Sequence, residues 1–281
     1  MEIKKALITA AGFGSRFLPI TKTIPKEMLP IIDKPIIHYI VQECAAAGIE
    51  EIIIVAAPDE VKIFEDYFYG HAENIRMLMQ LQGKMDRWKK VETVFQLPKV
   101  SVIPENRTIS YGNGRPVLTA KEMLKDEEAF VVCFGDDLVL SEISGVKQIV
   151  DYYKSQENID GLLGVQKMSD EQIVKVGAVK LREGTSNIVE SVIEKPKLEE
   201  TPSHLGSYGR FIMSNKIFEY LTPEATGKDG EVWLQDANDL IAKNHNLHCF
   251  AINGEWLTTG DPDNYIIAQN KFYERNKRIT N

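Results

Sequence analysis

The chain is poor in cysteine, has no long apolar run and carries no surplus of positive charge. Its three cysteines, Cys44, Cys133 and Cys249, are odd in number, widely spaced and set in apolar neighbourhoods. That excludes a disulfide framework and points to buried reduced thiols rather than metal ligands, as suits a cytoplasmic protein. No stretch approaches the ~18 apolar residues of a membrane span, and Met1 to Lys5 lead straight into a strand pattern rather than a secretory leader. With 33 Lys and Arg against 41 Asp and Glu, the formal net charge is −8, so nucleic acid and anionic membranes find no basic face. Internal repeats and low-complexity stretches are also missing. His245 and His248 have no carboxylate or thiol partner nearby and read as surface residues of a polar turn. Trp88, Trp233 and Trp256 are too scattered for a stacking platform and are assigned to packing.

What is present alternates. Residues 5–9, 52–55, 100–103 and 130–134 are short runs rich in β-branched and aromatic residues, separated by amphipathic helical patterns. They predict an α/β protein with a central, mostly parallel sheet. Asp33 is expected to cap a helix whose apolar stripe is Ile36, Ile37, Ile40, Val41 and Cys44, with Gly48 as its stop. Asp59 is expected to open a second helix through Phe64 and Phe68, and Gly114-Arg115-Pro116 a third through Leu118 and Met123. Residues 70–98 are polar and helix-prone, without a chemical cluster, and read as an inserted subdomain or oligomer contact. From about residue 160 short strands take over, at 161–165, 178–181 and 188–193, and Tyr265 to Asn281 read as a solvated closing helix. At 281 residues and 43% hydrophobic content there is ample core for one large domain with insertions.

The most informative stretch is Ala10-Ala11-Gly12-Phe13-Gly14-Ser15-Arg16-Phe17-Leu18-Pro19, which follows an apolar strand and precedes Pro25-Lys26-Glu27-Met28-Leu29-Pro30. Gly12 and Gly14 allow close backbone approach and aim N–H groups at anionic oxygens, while Arg16 and Lys26 add local charge. A dinucleotide fingerprint would need glycine where Phe17 stands, and the Gly-Lys-Ser/Thr of a P-loop never occurs. A nucleoside triphosphate suits the loop. In open α/β sheets such ligands sit beyond the carboxyl ends of the strands, and Asp136 directly follows the strand at 130–134.

The whole run, continued through Lys22, Pro25 to Ile31 and Asp33-Lys34-Pro35, resembles the bacterial and archaeal UTP–glucose-1-phosphate uridylyltransferases (UDP-glucose pyrophosphorylases), a branch of the sugar-nucleotidyltransferases. Further matches follow in order: Gly112-Asn113-Gly114, Phe134-Gly135-Asp136-Asp137, Glu194-Lys195-Pro196, Gly209-Arg210-Phe211, Gly230-Glu231-Val232 with Asp236-Ala237, and Thr259-Gly260-Asp261-Pro262. The resemblance implies a single nucleotidyltransferase domain over 1–281, a Rossmann-like, mostly parallel mixed sheet flanked by helices with a smaller sugar-binding β portion. Residues 1–150 would form the nucleotide-binding half with the insertion at 70–98, and 151–281 the sugar-binding half and closing helix. It also implies UTP and glucose 1-phosphate as substrates, UDP-glucose and pyrophosphate as products, Mg²⁺ as cofactor, and a homodimer or homotetramer.

Carried over residue by residue, Arg16, Lys26, Asp136 and Lys195 are the expected catalytic set, with Asp136 on the metal. Ala10, Ala11, Gly12, Gly14, Ser15, Glu105 and Gly112 would meet the nucleotide, and Gly177, Glu194 and Lys195 the sugar phosphate. Phe13 is a candidate cover for the base. The chain departs from the family twice. Glu105 stands where relatives read uracil with Gln, and a carboxylate accepts from N3–H but cannot donate to O4; Arg107 could instead neutralise it. Thr258 replaces a second metal carboxylate, leaving Asp261 as a substitute or simply as a helix cap, while Asp137 is weighed as a capping or supporting residue. These departures keep two alternatives open: the same fold using dTTP, GTP or another sugar 1-phosphate, and an idle UDP-sugar-binding regulatory homologue.

Overall fold

The computed structural model describes residues 2–70 and 72–280. The β-branched runs form strands Lys5–Ala10, Glu51–Ala56, Lys99–Pro104 and Ala129–Phe134, which lie side by side in parallel. In register Ala10 faces Ala56 and Ala56 faces Pro104, while Thr9 faces Phe134. All four strands therefore end together, and the segments after them share one rim.

Alternation of side chains puts the two faces of this sheet into two cores. Ile8, Ile54 and Val131 pack toward the helices Ile36–Ala46 and Gly145–Ser155. Leu7, Ile53 and Val132 face the opposite way, toward Val117, Leu118 and the helix Leu234–Asn244. The strand Leu205–Ser214 turns the sheet mixed: one end pairs antiparallel with Ala129–Cys133 and the other with Gly177–Ala178. Gly161–Lys167 lies along its other edge, Leu247–Ala251 extends the sheet beyond that, and Val189–Glu194 pairs with Gly177–Leu181.

Several local expectations are corrected. Asp33 does not cap the helix Ile36–Ala46. The Lys34–Pro35 segment is held extended against Pro30–Ile31, so Pro35 enters the helix and Asp33 pairs with Lys90 at 2.8 Å. Asp59 likewise lies before the helix Val61–Tyr69 and ion-pairs with Arg107 at 3.4 Å. The helix expected from Gly114 is two short ones, Arg115–Thr119 and Lys121–Leu124. Thr119 donates its hydroxyl back to the Arg115 carbonyl at 3.0 Å, which favours a bend there. His248 is not at the surface but buried in its strand beside Tyr152.

Gly48 ends its helix as expected, with φ of 83°. The 70–98 segment forms the helices Glu73–Leu81 and Met85–Phe95, of which only Trp88 is buried. All three cysteines are buried free thiols, and Cys44 meets Cys133 with their sulfurs 3.9 Å apart. The long closing helix Pro262–Thr280 reaches back over the Pro30–Ile31 segment, where Tyr265 and Gln269 both donate to the Pro30 carbonyl.

Candidate active site

Gly14 has φ of 58°, and a Cβ there would meet the Thr21 methyl at 2.9 Å, so glycine is required on both counts. Thr21 in turn donates to the Gly14 carbonyl at 2.8 Å, fixing the loop. The N–H groups of Gly12, Phe13 and Gly14 donate to nothing among the described residues. They are open donors at the rim. Gly12 lies beside Lys26, whose Cε is 3.5 Å from where a Cβ would sit, an ordinary contact distance.

Lys26 is mostly buried and ion-pairs with Asp136, with Glu27 at 3.8 Å. Burial works against its charge, but the Asp136 and Glu27 carboxylates outweigh it and hold the ammonium above its ordinary range. Burial would equally raise Asp136, yet Lys26 keeps that carboxyl below its usual value. Glu27, farther from Lys26 at 3.8 Å, is relieved less than burial costs it. Its Oε2 is buried without a partner, and burial pushes its pKa up to about 7. It was not expected at the site, although a lone acid inside the Pro25–Pro30 run was the available signal.

The Asp136 backbone is clamped from the closing segment, where the Thr259 N–H and hydroxyl both donate to its carbonyl, at 2.6 and 2.9 Å. Gly135 donates to the Thr9 carbonyl at 2.9 Å, sewing the loop to the neighbouring strand end. Asp137 turns inward, accepting from the Trp256 indole at 2.8 Å and the Gly209 N–H at 3.1 Å. Burial, then its neighbour Asp136, raises Asp137 to about 6. Arg210, fully buried, binds the Asp137 carbonyl at 2.8 Å while pairing bidentately with Glu43 at 3.0 and 2.6 Å. Asp137 is thus a support for the loop, and Arg210 and Glu43 are structural residues that the motifs alone did not assign.

A divalent ion fits this donor set in one way only. Among the described residues there is no group of three or more His, Cys, Asp or Glu able to enclose a metal. Asp136 offers a single rim carboxylate, which suits an ion carried largely by phosphate oxygens and water. Asp261 is occupied as the cap of the closing helix, accepting from the Asn264 N–H at 3.0 Å, and the Thr258 hydroxyl accepts from the Gly260 N–H at 3.3 Å. Arg16 reaches across the same rim to the Gly260 carbonyl at 3.5 Å.

Beyond the end of the outermost parallel strand, Lys99–Pro104, Glu105 is buried and ion-paired, but with Arg115 rather than Arg107. Arg107 lies instead over the Phe13 ring at 5.9 Å, Phe13 stacks on Tyr111 at 5.6 Å, and Arg115 lies over Tyr111 at 5.1 Å. Gly112 has φ of 139°, and a Cβ there would strike the Val232 backbone.

The residues expected on the sugar side converge elsewhere on the sheet. Glu194 sits directly opposite Gly177 across the strand pair. A Cβ on Gly177 would meet the Gln235 amide at 2.6 Å. Burial raises Glu194 to about 7. Lys195 follows with φ of 44°, its Nζ 3.8 Å from Glu194 and 4.3 Å from the centre of the Trp233 ring.

Residues 5–275 match the family model described as nucleotidyl transferase. The UTP–glucose-1-phosphate uridylyltransferase 2 of Staphylococcus saprophyticus is 36% identical over 267 residues, covering 94% of this chain and 90% of that protein. A UTP–glucose-1-phosphate uridylyltransferase of Staphylococcus epidermidis is 35% identical with the same coverage. Among solved structures, a UDP-glucose pyrophosphorylase complexed with UDP-glucose has a TM-score of 0.84 at 32% identity, covering 98% of this chain and 100% of that one. A UTP-bound UGPase from Acinetobacter baumannii has a TM-score of 0.84 at 27% identity, covering 96% and 93%.

Proposed function

The chain belongs to the nucleotidyl transferase family, among the UTP–glucose-1-phosphate uridylyltransferases, and from this we propose that it converts UTP and glucose 1-phosphate to UDP-glucose and pyrophosphate. A phosphate oxygen of the sugar phosphate attacks the α-phosphorus of UTP, and the bond to the bridging oxygen of pyrophosphate breaks. The nucleophile arrives charged. No general base is required, so the protein's work is alignment and charge stabilisation.

The carrying observation is the Lys26–Asp136 pair beside the open N–H groups of the glycine loop. Lys26 and those N–H groups would take the triphosphate oxygens, with Arg16 on the β- and γ-phosphates. Lys195 would meet the sugar phosphate, and Glu194 the glucose hydroxyls beside Gly177. Ala10, Ala11, Ser15 and Gly112 would line the nucleotide. Asp136 would hold Mg²⁺, which supplies neutralisation of the phosphate charge. Residues 1–150 would act as the nucleotide half and 151–281 as the sugar half. We place the enzyme in the cytoplasm as a homodimer or homotetramer; no helix among the described residues is long and apolar enough to cross a membrane.

Glu105 favours one second reading, a different base. Its carboxylate only accepts, and its neutralising partner Arg115 is buried with it. A pyrophosphate-release assay over UTP, dTTP and GTP with glucose 1-phosphate tests both. UTP should turn over fastest; efficient dTTP or GTP turnover without UTP sinks the assignment, and no release with any nucleotide would leave a UDP-sugar sensor.

A further inference from the structure

The Lys195 side chain is half exposed and flexible, with one ionic partner among the described residues, at 3.8 Å. Its backbone is constrained, at φ of 44° with its N–H on the Val176 carbonyl at 3.1 Å. That single carboxylate contact holds the ammonium only loosely. The Trp233 ring aims it, lying 4.3 Å below Nζ and presenting the most favourable aromatic face for a cation.

Trp233 is itself held on both sides. The preceding Val232 donates to the Tyr111 carbonyl at 2.7 Å and accepts from the Gly114 N–H at 2.9 Å, and the following Leu234 donates to the Asn113 side chain at 2.8 Å. Gly112 packs so closely on the Val232 backbone that no side chain fits between them. The residue bearing the ring is therefore stapled to the loop that lines the nucleotide end of the sheet.

We propose that Trp233 is a positioning residue that sets the Lys195 ammonium for the phosphate of the sugar substrate and ties it to the Tyr111–Gly114 loop. The assignment rests on Lys195 meeting that phosphate. Steady-state kinetics on Trp233→Leu, Trp233→Phe, Lys195→Ala and the Trp233→Leu/Lys195→Ala double variant test it, with thermal unfolding confirming intact folds. Trp233→Leu should raise KM for glucose 1-phosphate about three- to ten-fold, leaving kcat and KM for UTP within about two-fold. Trp233→Phe should restore most of the loss, and Trp233→Leu should add almost nothing once Lys195 is alanine. An unchanged KM in Trp233→Leu, or the same rise in the double variant, overturns the role of Trp233 alone. If Lys195→Ala leaves the sugar-phosphate requirement unchanged, the assignment of Lys195 falls and takes this one with it.

Discussion

Lys26 and Lys195 are both proposed to meet phosphate, yet they are held in opposite ways. Lys26 is mostly buried, touches two carboxylates and sits on a rim whose loops are cross-bonded to neighbouring strands. Lys195 is half exposed on a left-handed turn, steered by one aromatic face and a carboxylate that burial tends to keep protonated. The first site is charged and paired before any ligand arrives, so substrate must exchange one set of ion partners for another. The second is shaped but loosely anchored. On the proposed function, this difference would put the chemistry on the nucleotide rim and selectivity for the second substrate on the turn.

The largest effect that separates them is on turnover. Asp136→Ala should lower kcat by about 10³-fold or more while circular dichroism still shows the parent fold, with some loss of thermal stability because Lys26 loses its partner; a mild loss of turnover would move the chemistry off this rim. Next in size is the scaffold beneath the rim. Arg210→Met strands the Glu43 carboxylate in the interior and should cost about 3–5 kcal/mol in urea unfolding, whereas Lys195→Ala should leave that stability unchanged.

Lys195→Ala should act on binding, raising KM for glucose 1-phosphate about 10- to 100-fold and shifting KM for UTP far less. Equal rises in both would erase the distinction between the two lysines.

A subtler contrast is pH. Burial raises Glu194 from 4.5 to about 7, so the folded chain binds this proton more tightly than the unfolded one. Its ionisation therefore costs nothing below pH 4.5, costs progressively more as pH rises, and reaches its full penalty above about 7. Glu194→Gln should gain stability over the parent at pH 8 relative to pH 4.5, measured by urea unfolding. The ionised form is also the better acceptor for sugar hydroxyls. KM for glucose 1-phosphate should accordingly fall between pH 6 and 8 more steeply in the parent than in the variant. The smallest effect is at the helix cap: Asp261→Ala should cost about 1 kcal/mol and leave turnover within about two-fold, and a large rate loss would make Asp261 a metal ligand.

The strand cores were legible because β-branched runs are local signals; the runs at 52–55, 100–103 and 130–134 each lie inside a parallel strand. The placement of the glycine loop and of Asp136 was legible for a related reason, each lying just after a strand end, whereas Lys26, in the short helical turn Lys26–Met28, was marked only by the motif around it. Helix starts were less so. Asp33 and Asp59 have the chemistry of caps, but tertiary ion pairs with Lys90 and Arg107 claim them. The partners that complete the site were least legible. Arg115 for Glu105, Glu43 for Arg210 and Trp233 for Lys195 meet only through the fold. No periodicity reports such pairs, and the acid most plainly overlooked, Glu27, lies in a short helical turn with too few residues to show which face is buried.

The most direct test is a crystal structure of the enzyme with Mg²⁺ and UDP-glucose. The account predicts the diphosphate along the Gly12–Gly14 loop, Asp136 turned from Lys26 to the ion, Lys26 on the phosphates, and the glucose between Gly177 and Glu194 with Lys195 at its phosphate. Ligand bound away from this rim, or a Lys26–Asp136 pair unchanged beside it, would contradict it.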